Sequence, residues 1–183
     1  MHPIFQLILR DSYGKLPEVV RRFHEVRIGS FDGRAEAKGS ASTMARLWRS
    51  LIGLPQPAAD SALTVRVLRT ETQERWLRQF NGNQFSSTLT RIRSQNLLCE
   101  NFGLFSFYFT LRAGSERLHW TLQRWSFLGI PMLDGLGPDI SVWEGTTAEG
   151  HYGFGVKVEL PLVGLLLDYT GHLVIPLRTE AAN

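Results

Sequence analysis

Hydrophobic positions along the chain repeat with two periods, a helical one in the first third and a strand-like one afterwards. Residues Pro3 to Leu9 read as a short helix, followed by a turn at Ser12-Tyr13-Gly14. Leu16, Val19, Val20 and Phe23 then fall at i, i+3, i+4 and i+7, one face of a helix. Pro17 suits its first position and Glu18 its positive end. Ile28 to Ser40 reads as a strand or an extended arm. A further amphipathic helix is predicted over Thr43 to Ile52, with Met44, Leu47, Trp48, Leu51 and Ile52 on one face. Ser42 is its N-cap candidate, and Gly53 and Pro55 stop it. Gln56-Pro57 and Ala58-Ala59-Asp60 read as loop.

From Ser61 the period becomes two. Leu63, Val65 and Val67 share one face, as do Trp76, Arg78 and Phe80. Asn81-Gly82 is a strong hairpin signal, and Phe85, Ser87 and Leu89 begin the return strand. Leu97 to Phe102 is a short strand. Phe105, Phe107, Phe109 and Leu111 form the most regular alternation, answered by Leu118, Trp120 and Leu122. Phe127 to Pro138 is rich in glycine and proline and holds no long strand. Ile140 and Val142 precede a turn at Ala148-Glu149-Gly150. Tyr152, Phe154, Val156 and Val158 follow, and a last strand runs from about Leu165 to Ile175.

Consecutive strands joined by short turns are antiparallel, because parallel neighbours need long crossovers. The expectation is an α+β, mainly β chain. It is a curved antiparallel meander of about eight or nine strands, half-barrel or barrel-like, with two or three short N-terminal helices packed against it. One domain is expected over 1–183, with a helical part at 1–60, including the early strand or arm, and the sheet at 61–176. A curled sheet of about eight strands is wide enough inside for side chains or one small ligand. The inward candidates Phe105, Phe107, Phe109, Trp120, Tyr152 and Phe154 either fill that space or line an apolar pocket.

Composition adds exclusions. The chain has 183 residues, 43% hydrophobic and 20% charged, a normal globular balance. The lone Cys99 excludes an internal disulfide and reads as a buried apolar thiol. The longest apolar stretch, Leu160 to Leu167, falls far short of a bilayer span, and no signal-peptide pattern opens the chain. A cytoplasmic location is the default expectation. The net charge of +3 divides into +7 over residues 1–95 and −4 over 96–183. The arginines are scattered, so nucleic-acid binding is not favoured.

The motif search finds no metal spacing among His2, His24, His119, His151 and His172, no nucleophile elbow and no phosphate loop. No cofactor, metal or catalytic residue is assigned. Glycine in Gly153-Phe154-Gly155 marks a bend or a close approach within a strand. Asp168 and His172 share a strand face at a separation too large for a direct bond; Asp168 reads as solvated, and so does His119 beside Thr121 and Gln123. Glu100 is different. It shares parity with Leu98 and Phe102, and an inward carboxylate needs a partner. Arg78 has matching parity, so a buried Arg78–Glu100 pair is expected inside the sheet. The tentative pocket is therefore Arg78, Glu100, Phe105, Phe107, Phe109, Trp120 and Phe154.

A set of short motifs recurs in order along the chain: Phe31-x-Gly33, Gly53-Leu54-Pro55, Trp76-x-Arg78-x-Phe80, Phe85-Ser86-Ser87, Glu100-x-x-Gly103, Leu128-Gly129-Ile130-Pro131, Leu160-Pro161-Leu162-x-Gly164-Leu165 and Tyr169-x-Gly171-x-Leu173. Together they resemble the bacterial family called domain of unknown function 4166. That resemblance implies one domain over nearly the whole chain and no catalytic residues. Members of that family occur alone or behind a Rossmann-type oxidoreductase domain, so by analogy the resemblance implies a separate oxidoreductase as a candidate partner. The chain departs from the family at Asn101, where an arginine is common, and at Met132-Leu133, where a second proline is usual.

Three readings of function stay open. The leading one is a binding module for a hydrophobic small molecule or lipid, with Phe127–Pro138 as a lid. The second is an accessory or catalytic domain of a separate oxidoreductase. The third is a protein-interaction domain, including a homodimer through the helix face around Trp48. Binding is favoured over catalysis because no acid–base constellation is present.

Overall fold

The structure is a computed structural model that describes residues 2–52, 54, 56–133, 135 and 137–176, apart from the side chains of Trp48, Leu51 and Ile52. The stop signals Gly53 and Pro55, and the helix face around Trp48, therefore lie outside the described residues.

Among the described residues, three short helices, α1 (Ile4–Leu9), α2 (Glu18–Glu25) and α3 (Thr43–Ile52), accompany eleven strands. These are β1 (Ile28–Lys38), β2 (Ala58–Arg69), β3 (Gln73–Phe80), β4 (Asn83–Ile92), β5 (Leu97–Phe102), β6 (Phe105–Ala113), β7 (Arg117–Phe127), β8 (Ile130–Pro131), β9 (Asp139–Thr146), β10 (Tyr152–Leu160) and β11 (Gly164–Leu173). Every pairing is antiparallel, and neighbours follow chain order apart from the two-residue β8, which hangs off β7. β7 pairs with both β6 and β9, and β1 pairs with β11, so ten strands close into a barrel.

The turns obey local chemistry. Asn81 and Gly82 both hold positive φ, the backbone a tight two-residue hairpin needs. Closure explains what the sequence pattern left ambiguous. Ile28–Lys38, readable as strand or arm, is held on both sides by β2 and β11. Ala58-Ala59-Asp60 is strand and not loop, because β1 supplies its ladder through a bulge and Arg34 binds Asp60. At the β1–β11 seam, a Cβ on Gly33 would overlap the carbonyl oxygen of His172. Only a glycine lets the two backbones approach this closely there.

The two ends of the barrel differ. The lower end is plugged by α1, a single 3-10 stretch over Arg10–Lys15, and α2. Phe5, Val20 and Phe23 are wholly buried in that plug. The upper end carries α3 and the turns after β3, β5, β7 and β10. Met44 and Leu47 of α3 are exposed there, with Leu104, Leu128, Ile130, Leu133 and Leu162 on the turns and loops.

Helix α3 departs from expectation. Ser42 does cap it, its Oγ accepting from the N–H of Ala45 at 3.2 Å. Among its described side chains, however, Ala45 and Arg49 are buried, while Met44 and Leu47 face solvent. The reason is polar. Arg49 donates to the carbonyls of Leu166 (2.9 Å) and Ser40 (3.0 Å), which lie at the end of the β1–β11 seam. Burial holds the pKa of Arg49 below its usual range.

Candidate functional site: an apolar cavity inside the barrel

Ten strands enclose more room than the eight that side chains alone can fill. A cavity of about 300 Å³ remains, at the small end of the sizes that hold small molecules. Its walls are aromatic and aliphatic, and its charged lining is Arg78, Glu100 and Glu144. All seven residues of the sequence-predicted pocket line it: Arg78, Glu100, Phe105, Phe107, Phe109, Trp120 and Phe154.

Strand alternation places most of this wall. Trp76, Arg78 and Phe80 point inward from β3, and Phe85 from β4. Arg78 donates to Ser87 Oγ at 2.8 Å and to Glu100 Oε1 at 3.3 Å. Its guanidinium also lies 5.0 Å from the Trp76 ring and 5.6 Å from Phe85. The pair is largely buried, with side chains 12% and 15% exposed. A cation between two ring faces and one carboxylate is well satisfied, which is how a barrel interior tolerates it.

The floor holds a second polar group that the sequence reading passed over. His24 on α2 and Glu144 on β9 are 0% and 2% exposed, and Nε2 of His24 donates to Oε2 of Glu144 at 2.6 Å. The imidazole lies against Phe5, with centroids 3.7 Å apart. Tyr152 adjoins this pair. Burial first, and then the Glu144 charge, push its phenol well above the ordinary tyrosine value. Burial also raises the phenol of Tyr169. The signals for this group existed: His24 is i+4 from Val20, and Glu144 continues the inward parity of Ile140 and Val142.

Two indoles add unpartnered donors. Among the described residues, Nε1 of Trp120 and Nε1 of Trp125 are buried without a hydrogen-bond acceptor, and both rings line the cavity. Trp125 was missed for a geometric reason. The β6–β7 ladder slips between Tyr108 and Phe109, where Gln123 is the extra residue. The bulge reverses the parity expected from Trp120, so Trp125 turns inward.

Other expectations settle differently. Gly153 and Gly155 make room for Trp143, whose indole would overlap a Cβ on Gly155. Arg117 covers that ring at 4.3 Å. Asp168 is half-buried rather than solvated, and His172 is half-buried too. His172 stacks on His151 at 5.2 Å, while Asp168 pairs in register with Lys38 and Lys157. Cys99 is buried on the outer face of β5, and burial raises its thiol pKa. No group of three or more metal-capable side chains occurs among the described residues. No helix among them is long and apolar enough to cross a membrane.

Comparison with known families places this barrel. The model of the family described as Domain of unknown function (DUF4166) matches residues 16–173. The chain belongs to that family. The match runs from Leu16, two residues before α2, to the last residue of β11, so the DUF4166 region contains all ten barrel strands and the His24–Glu144 floor. Helix α1, which packs under that floor, precedes it. No curated protein matches the chain. In this DUF4166 member, Asn101 lies outside the cavity and accepts from Ser106 Oγ at 2.8 Å, so an arginine at that position would sit on the outer wall.

Proposed function

We propose that this protein is a binding module that holds one hydrophobic small molecule, or the apolar part of a lipid, inside the barrel. The observation that carries the reading is the apolar cavity of about 300 Å³ within a closed barrel that its aromatic side chains do not fill. An apolar void of this size lacks dispersion partners that a ligand would supply. The unpartnered indole N–H of Trp120 and the Arg78–Glu100 pair are in place for one polar group on that ligand.

The test starts with native mass spectrometry of freshly purified protein, followed by organic extraction and mass analysis of what is released. A stoichiometric apolar adduct is the expected result. In parallel, the neutral probe N-phenyl-1-naphthylamine should bind the wild type and fail to bind Val156→Trp, whose indole would occupy the cavity. That substitution should cost about 1–3 kcal/mol of stability, so its fold is checked by thermal unfolding. A clean apo mass together with no probe binding would overturn the reading.

A further inference from the structure

Exposed large apolar side chains are not spread evenly over the barrel. Ten stand out among the described residues, and seven of them ring the upper end. This ring is continuous with the cavity wall. Leu104 lies between Phe102 and Phe105, and Leu162 between Pro161 and Val163, and all four flanking residues line the cavity. At these two turns apolar side chains therefore pass from the cavity wall to the outside.

Two ring members break a local rule. Leu128 and Leu162 hold positive φ of 50° and 66° while their side chains face solvent. Glycine or asparagine relieves that conformation, and nothing in the fold rewards leucine there. Local rules broken without a folding gain mark positions kept for function. Near the ring Lys38 pairs with Glu36 at 3.1 Å, Lys157 with Glu159 at 3.0 Å, and Arg34 with Asp60, and the exposed Arg46 and Asp139 carry opposite charges. The same ion pairs stud the barrel's outer wall, so insertion stops at the lip.

We propose that the upper rim docks on the surface of a lipid bilayer and that the ligand passes between bilayer and cavity through it. The inference rests on the binding reading above and adds the partner. Leucines on separate turn tips at the end of the barrel opposite the helical plug suit partial burial at the headgroup level. Such a contact lets an apolar molecule move without crossing water. Because the described rim carries no excess of positive charge, docking needs no anionic lipid.

The test is co-sedimentation of the full chain with phosphatidylcholine vesicles at about 0.1 M and about 1 M NaCl. Wild type should bind equally at both. The double variant Leu104→Asp/Leu162→Asp should lose vesicle binding about tenfold or more, since its apolar tips no longer insert. It should keep its thermal midpoint and its solution affinity for N-phenyl-1-naphthylamine, because neither residue lines the cavity. Wild type left in the supernatant overturns the proposal. So does binding that requires anionic vesicles and is released by salt. So does a wild-type dimer that the double variant turns into a monomer, which would make the rim a contact between copies. Vesicle binding by wild type without any probe binding would sustain the docking surface and overturn the cavity reading, so the two fail separately.

Discussion

Arg78 is held by three kinds of contact at once: a hydroxyl, a carboxylate and two ring faces. Removing either ion alone leaves the other facing an apolar wall. Arg78→Met and Glu100→Leu should each cost about 1–3 kcal/mol. The double variant should cost clearly less than the sum, with a coupling of about 1 kcal/mol, read by urea unfolding of all four proteins. Simple additivity would mean that the pair is solvated and does not organise the cavity. At this scale the pair was legible from parity alone, since Arg78 and Glu100 alternate with residues that can only be core. His24–Glu144 was harder to see. Its partners are 120 residues apart, and one of them sits on a helix whose docking site only closure creates.

Among the elements, α1 has the least intrinsic reason to be a helix. It is six residues long, without a side-chain cap, far below the length at which an isolated helix holds in water. Its stability comes from Phe5, which reaches His24, Trp76 (6.3 Å) and Trp120 (5.4 Å) and seals the barrel floor. Phe5→Ala should cost about 3–5 kcal/mol in chemical denaturation. It should also speed hydrogen exchange at the lower ends of β3 and β7, where Trp76 and Trp120 lose their cover. Legibility at this scale follows the physics of each element. Strands with strict alternation, such as β6 and β10, could be read residue by residue. The β7 bulge could not, because it is set by the ladder with β6. The burial of Arg49 on α3 could not be read either, because its two carbonyl acceptors come from the far end of the β1–β11 seam.

In the whole molecule, three of the four tyrosines, Tyr13, Tyr152 and Tyr169, are raised above the ordinary value of about 10, chiefly by burial. The folded state thus keeps these protons when the unfolded chain would shed them. Their stabilisation is intact below about pH 10 and is lost as pH rises from there through the folded values. The slope is up to about 1.4 kcal/mol per pH unit for each tyrosine. Thermal midpoints should therefore fall steeply above about pH 10, and Tyr152→Phe should flatten that fall. An unchanged slope would mean that Tyr152 ionises freely in the folded barrel.

The seam between β1 and β11 has a kinetic consequence. Nine of the ten barrel ladders join chain neighbours, but Gly33 meets Leu173 across 140 positions. Closing a loop of that length carries an entropic cost of about 4 kcal/mol, against much less for each hairpin. The hairpins therefore form early and the seam last, which slows folding as non-local pairings do. Until then the open edges of β1 and β11 flank an aromatic sheet with no partner. A native state without a free long edge is thus reached through an intermediate that has two, and a chain emerging during synthesis stays in that edge-rich state until its last strand is made.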